Sequence, residues 1–192
     1  MEYRLHLPVR REEIKKLRIG DILYLSGPIF TARDAAHKLL LKKDADELPF
    51  NPSQMALYHC GPLMKQQNKK WTVVSAGPTT SSRMELFEDK VIEKFHVPII
   101  IGKGGMGKKT ADALKRYTSV YTVYPGGVGV LAAENVTRVV RVYWLEELGM
   151  TEAIWILQMK NFGPLVVAMD SHGGSLVEQK VKIYQTDLIK TC

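Results

Sequence analysis

Ala76-Gly77-Pro78-Thr79-Thr80-Ser81-Ser82-Arg83-Met84 follows a strand candidate, Thr72–Ser75, and leads into a helix candidate, Ser82–Phe95. Glycine lets the chain turn there, and the first turn of a helix leaves backbone N–H groups without intrahelical partners. The same order recurs twice. Ser26-Gly27-Pro28-Ile29-Phe30-Thr31-Ala32-Arg33-Asp34 lies between a strand at Ile22–Leu25 and a helix over Thr31–Lys43. Ile101-Gly102-Lys103-Gly104-Gly105-Met106-Gly107 lies between a strand at Pro98–Ile101 and a helix over Lys108–Tyr117. Short, solidly apolar strands alternating with helices predict an α/β architecture whose strands are covered on both faces.

Outward from these junctions the pattern changes. Further strands are expected at Val120–Val123, Arg138–Trp144, Ile154–Leu157 and Leu165–Met169, so the later chain is strand-rich. Mixed sheets in layers suit that order better than a simple doubly wound sheet. Arg11–Leu17 reads as a short amphipathic helix, and Asp44–Gln54 and Gln66–Lys70 read as loops. No long linker divides the chain. The expectation is one domain over residues 1–192, with a leading segment 1–21, a body 22–185 and a tail 186–192.

The chain has 27 basic and 20 acidic residues, a net charge of +7. Its lysines are scattered in pairs such as Lys42-Lys43, Lys69-Lys70 and Lys108-Lys109, with no interleaved aromatics to stack on bases. That argues against nucleic acid and leaves solvated surface charge as the commonest reading, beside an anionic metabolite or an acidic partner chain. No apolar run reaches the roughly 18 residues of a membrane span, and Met1–Arg11 lacks a signal peptide's apolar core. A cytoplasmic, non-membrane protein is expected. The two cysteines, Cys60 and Cys192, are too few and too far apart for a cluster, a structural zinc site or a disulfide framework. No metal ligands are assigned within the chain.

Each junction carries a cation: Arg33, Arg83 and Lys103. Helix N-termini favour anions, and arginine forks match carboxylates in a planar, bidentate way. Brought to one sheet edge, the three junctions would grip both carboxylates of a small diacid, with Gly77 and Gly104 letting it approach the backbone. Thr79, Thr80, Ser81 and Ser82 give four hydroxyls where one helix cap needs one, so at least one has another task.

A competing reading is a nucleotide-binding loop. Gly102–Lys108 fits Gly-x-x-x-x-Gly-Lys after a strand and before a helix, and Leu165–Asp170 resembles a strand ending in a metal-binding acid. Lys109 stands where that motif needs Ser or Thr for magnesium. Thr110 is one position late, turned about 100° around the helix.

The segments Ser26–Lys38, Gly77–Met84 and Gly102–Met106 resemble, in order, the three signature stretches of the iron–sulfur hydro-lyase β subunits. These are the class I fumarate hydratase and L(+)-tartrate dehydratase family, equivalent to the C-terminal domain of single-chain class I fumarases. The likeness continues through Gly126-Gly127 and Met169–Gly173. It implies a three-layer β/β/α swivelling domain that closes over a cluster-bearing α subunit. There, three cysteines of the α subunit hold a four-iron four-sulfur cluster whose open iron acts as a Lewis acid.

On this sequence the resemblance assigns Arg33, Arg83 and Lys103 to the substrate carboxylates and Thr79 to proton abstraction. Ser81 and Ser82 would cap the helix and donate to the substrate. The implied reaction is reversible hydration of a four-carbon diacid, fumarate to malate or a tartrate-type dehydration. The implied assembly is a homodimer alone or a heterotetramer with α. A non-catalytic subunit that keeps the diacid site is the alternative from the binding class.

His37, at i+4 from Arg33, faces the same side of its helix, although a satisfied structural histidine is the commoner outcome. His172 lies in a turn and is open to either role. Cys60 reads as an inert core thiol, and Trp71, Trp144 and Trp155 read as core or interface anchors.

Overall fold

The computed structural model describes residues 1–177. The expected tail 186–192, the end of the body from 178 onward and Cys192 lie outside them. In chain order the elements begin with β1 (Glu2–His6), α1 (Arg11–Lys16), β2 (Ile22–Thr31), α2 (Asp34–Leu41), β3 (Ala56–Tyr58), β4 (Leu63–Gln67) and β5 (Lys70–Ser75). A 3-10 segment (Ser81–Leu86) leads to α3 (Glu88–Phe95), β6 (Ile99–Gly102), α4 (Lys108–Tyr117) and β7 (Val120–Val123). The last elements are α5 (Gly129–Glu134), β8 (Val136–Tyr143), α6 (Leu145–Leu148) and β9 (Ile154–Met169).

Seven strands form one mixed sheet in the order β1-β2-β3-β6-β7-β9-β8, and β4 and β5 form a separate antiparallel hairpin. β1, β2, β3, β6 and β7 run parallel, while β9 is antiparallel to β2, β7 and β8. Because β9 pairs with both β7 and β2, the sheet curls back on itself.

Two cores follow from that curl. Leu25, Tyr58, Ile99, Ile101, Trp155 and Phe162 fill the space inside it, joined by Trp71 from the hairpin. Phe30, Leu57, Ile100 and Ile156 point the other way, onto Leu40 of α2, Val91, Ile92 and Phe95 of α3, and Leu114 of α4. Ile99-Ile100-Ile101 alternates between the two cores, as the period of two in a strand requires. The result is a mixed α/β fold layered as sheet wall, sheet wall and helices. No helix among the described residues is long and apolar enough to cross a membrane.

Several elements depart from expectation. β2 does not end at Gly27 but runs to Thr31, with register shifts on either side of Leu25 that absorb the glycine. The strands expected at Ile154–Leu157 and Leu165–Met169 are one, β9. Its interrupting Gly163-Pro164 falls at a register shift, where a missing N–H leaves no gap in the ladder. Residues 66–70 close the β4–β5 hairpin, with Asn68 and Lys69 at positive φ. The helix expected over Ser82–Phe95 is split at Phe87 into a 3-10 segment and α3. Within the leading segment, residues 2–6 add β1 to the main sheet beside β2. β3 and β4 carried too few residues to show a period.

Candidate active site at the strand ends

The C-terminal ends of β2, β3, β6 and β7 stand in one row. Thr31 pairs with Tyr58, Tyr58 with Ile101, and Ile101 with Thr122. Arg33 lies two residues beyond this row, His59 and Cys60 follow β3, and Lys103 follows β6. With neighbouring strands about 4.8 Å apart, the backbones at Arg33 and Lys103 are separated by about 10 Å.

The segment carrying Gly77 to Arg83 crosses the same edge. Pro78 bridges to Cys60 and Thr80 to Lys103. The Thr79 N–H donates to the His59 carbonyl at 2.8 Å, and the Ser81 N–H donates to the Lys103 carbonyl at 3.0 Å. The three junctions therefore meet, although they come from separate parts of the chain.

The cations differ in their surroundings. Arg33 precedes the first turn of α2, and its guanidinium lies against Gly61, where an added Cβ would be 2.8 Å from Nη1. Its Nε is 3.4 Å from Glu152 Oε1 yet buried without a hydrogen-bond partner. Glu152 also accepts the Ala35 N–H at 2.9 Å. Arg83 forks onto both carboxylate oxygens of Asp34, with Nε 3.2 Å from Oδ1. Partial burial would raise the Asp34 carboxyl, but the Arg83 hydrogen bonds outweigh it and hold the group below its ordinary range. Lys103 runs past Gly126, where an added Cβ would sit 3.0 Å from its Cδ. No carboxylate among the described residues pairs with Lys103.

The hydroxyls also separate. Thr79 is half-buried, and its hydroxyl bonds to no described residue; Ser82 is exposed. Ser81 caps nothing, because its side chain turns inward and is fully buried. The Lys103 N–H donates to Ser81 Oγ at 3.0 Å, and Ser81 Oγ lies 2.9 Å from His59 Nδ1. Gly102 permits that approach, since a Cβ there would fall 1.9 Å from Ser81 Oγ. Gly77 packs its backbone against Gly129, and Gly104, at φ +79°, accepts the Tyr121 hydroxyl at 2.9 Å.

Beneath this edge sits a fully buried cluster of His37, His59 and Glu88. His59 Nε2 is 2.8 Å and His37 Nε2 3.2 Å from the same oxygen, Glu88 Oε2. His37 Nδ1 is 2.7 Å from the Arg33 carbonyl. Burial alone would raise the Glu88 carboxyl; the facing imidazoles, His59 nearest, bring it down to about 2. Burial pulls both imidazoles down, and for His59 it prevails. For His37 the hydrogen bond and charge of Glu88 outweigh it and raise the group.

His59 and Glu88 were not singled out in the sequence. A signal existed for Glu88: with Val91, Ile92 and Phe95 it completes a buried i, i+3, i+4, i+7 stripe, an unusual place for a charge.

The nucleotide-loop reading is overturned at the start of α4. Glu85 already occupies it: its carboxylate accepts the Gly107 N–H at 2.7 Å, the Thr110 N–H at 3.3 Å and the Thr110 hydroxyl at 2.6 Å. A phosphate would meet that negative charge where it needs open N–H groups. Lys108 pairs with Asp112, one turn along its own helix. Asp170, the supposed metal acid, instead accepts the N–H groups of Ile19, His172 and Gly174.

His172 binds the Lys15 carbonyl through Nε2 at 2.8 Å, away from the strand ends. Cys60 is buried, and burial pushes its thiol up, as an inert core thiol requires. Trp155 is a core anchor, with Trp71 edge-on at 5.0 Å.

Known proteins resemble this chain over nearly its whole length. The family described as Fumarase C-terminus matches residues 2–180. A protein of Methanocaldococcus jannaschii, provisionally named L(+)-tartrate dehydratase subunit beta, is 46% identical over 188 residues, 96% of either chain. The L(+)-tartrate dehydratase subunit beta of Escherichia coli K12 is 38% identical over 180 residues, 94% of this chain and 89% of its own. A protein of Geobacillus stearothermophilus, provisionally named fumarate hydratase class I, is 43% identical over 175 residues. That match covers 91% of this chain but 33% of the longer relative.

Proposed function

Since this chain belongs to the fumarase C-terminus family, we propose that it is the β subunit of an iron–sulfur hydro-lyase that reversibly hydrates or dehydrates a four-carbon dicarboxylate. Fumarate to malate is the first reaction to test, and dehydration of L-tartrate the second. The observation that carries this reading is the meeting of Arg33, the Thr79–Arg83 turn and Lys103 at one row of strand ends.

Each role follows from the chemistry of the group. Arg33, paired with Glu152 on one side, binds one substrate carboxylate through the remaining N–H groups of its guanidinium. Arg83 binds the other, held ready by Asp34, and Lys103 adds a compact positive charge between them. Gly77, Gly104 and Ser82 border the ligand at the same turns. Ser81 supports the site from inside. Thr79 takes part in proton transfer at the carbon next to a carboxylate. A threonine hydroxyl is a weak base, so the surrounding cations must favour its ionised form.

The described residues do not fit a cluster-holding role. Their one thiol, Cys60, is buried and shifted away from the thiolate that iron requires. In this reading the four-iron cluster belongs to an α subunit, over which this chain closes in a cytoplasmic heterotetramer. Co-expression with that subunit under anaerobic conditions tests the reading. The complex is expected to interconvert fumarate and malate or to dehydrate L-tartrate, and the β chain alone to do neither. A cluster-loaded complex inert towards all these diacids overturns it, as does an α subunit fully active without its partner.

A further inference from the structure

The buried cluster of His37, Glu88 and His59 gathers three titratable groups that the diacid site does not itself use. Its protonation follows from the groups whose role is fixed. The Glu88 carboxylate can only accept, so His59 Nε2 carries a proton. Burial keeps His59 neutral, so its Nδ1 accepts the Ser81 hydroxyl, which itself accepts the Lys103 N–H.

At the other end the Arg33 carbonyl can only accept, so His37 Nδ1 carries a proton. His37 Nε2 faces the same carboxylate oxygen and carries a second. Close by are Asp34, near the start of α2, and the Tyr121 hydroxyl, which donates to the Gly104 carbonyl and lies beside Ser81. Charge balances within the cluster, as burial demands.

We propose that His37, Glu88, His59 and Ser81 are positioning residues for the diacid site: a buried chain of imidazolium, carboxylate, neutral Nε2–H imidazole and hydroxyl that locks the three junctions to one another. The chain runs from the Arg33 carbonyl through α2 and α3 to the end of β3, the Ser81 turn and the Lys103 amide. His59 also holds Thr79, whose N–H donates to its carbonyl at 2.8 Å. Arg33, Thr79 and Lys103 are thus each one bond from a single buried network. Arg83 is tied to it by a different route, through Asp34 next to Arg33.

The same three groups are near enough to be considered as metal ligands. The shortest of the distances favours a shared proton. Two donors of a tetrahedral zinc with bonds of about 2.0 Å stand roughly 3.3 Å apart, whereas His59 Nε2 and Glu88 Oε2 are 2.8 Å apart.

The proposal rests on the diacid reading for its consequence but not for its chemistry, and two measurements keep these apart. The first is nitrogen-15 NMR of histidine-labelled full-length chain at pH 7. Both ring nitrogens of His37 are expected to be protonated, and His59 to be the Nε2–H tautomer. In Ser81→Ala, the His59 Nδ1 resonance is expected to shift as it loses the Ser81 hydrogen bond, while His59 stays Nε2–H and His37 keeps its charge. A neutral His37, a His59 indifferent to Ser81→Ala, or one equivalent of bound metal by elemental analysis overturns the proposal.

The second is kinetics of the assembled enzyme carrying Ser81→Ala or His59→Gln; the glutamine amide can still donate to Glu88 but has no ring nitrogen where Nδ1 accepts from Ser81. About a tenfold rise in KM for the diacid is expected, with the cluster content unchanged. Values within twofold of the parent in a folded Ser81→Ala protein overturn the positioning role. If the unmutated complex turns over no diacid while the NMR signatures hold, the proposed function falls and the chain of protonation states stands.

Discussion

At the scale of single residues, the strand-end site combines two arginines already given carboxylate partners with a lysine and a hydroxyl that have none among the described residues. Arg83 is oriented by Asp34 before any ligand arrives, so less side-chain freedom is lost on binding. Replacing Arg83 with Ala removes a fork of charged hydrogen bonds, each worth about 1.5–3 kcal/mol. The expected result is a fall in kcat/KM by roughly two to three orders of magnitude, with thermal unfolding and cluster content near the parent values. Parental turnover by that variant would remove Arg83 from the site. For Thr79→Ala the loss is expected in kcat, with KM changed less than threefold or so, because a proton-transfer group acts in the transition state. Steady-state kinetics on both diacids separates these outcomes.

At the scale of elements, two helices begin in ways that their sequences only half declare. α4 starts after a glycine-rich loop that invites an anion, and the fold supplies that anion from within as Glu85. A carboxylate at a helix N-terminus satisfies open N–H groups and complements the dipole. Glu85→Ala is therefore expected to destabilise the chain by about 2 kcal/mol in denaturant unfolding, since it also strands the buried Thr110 hydroxyl. It is not expected to create ATP binding, because Lys109 still stands where magnesium needs a hydroxyl. α3 begins with Glu88 at the head of its buried stripe. Glu88→Ala leaves a buried imidazolium unpaired and is expected to cost about 3–5 kcal/mol, whereas Glu88→Gln, which can still bond both rings, is expected to cost less.

At the scale of the whole molecule, the buried cluster makes stability depend on pH in a definite direction. His59 is lowered from its ordinary 6.5, so below that value the unfolded chain binds a proton that the folded chain refuses. Stability should fall as pH drops through this region. Glu88, lowered from 4.5 to about 2, adds a second loss between those values for the same reason. His37 is raised, so its contribution is complete below 6.5 and is lost as pH rises through its folded value. Thermal unfolding across pH 3–10 is expected to peak between these limbs. Glu88→Gln, by removing the carboxylate, is expected to flatten the acid limb between 4.5 and 2. An unaltered acid limb in that variant would show that other carboxylates govern it.

The sequence by itself determined the local grammar of this protein. Apolar strands, glycine turns and amphipathic helices are set by residues a few positions apart, so β6, α4 and β7 were legible where they stand. The three signature stretches carried the family and its candidate cations, because those residues sit at fixed offsets from each turn. Only the tertiary structure decided which junctions meet, how the sheet curls through β9, and what each polar group finds opposite it. Those are pairings over long stretches of chain. His37, His59, Ser81, Glu88 and Lys103 come from different elements, and nothing in local spacing says that one carboxylate oxygen will join two imidazoles. The same holds for Glu85, whose partners lie beyond α3 and β6. Burial at that depth strongly favours polar groups that find partners, and the choice of partner is made by packing, which acts only once the strands are side by side.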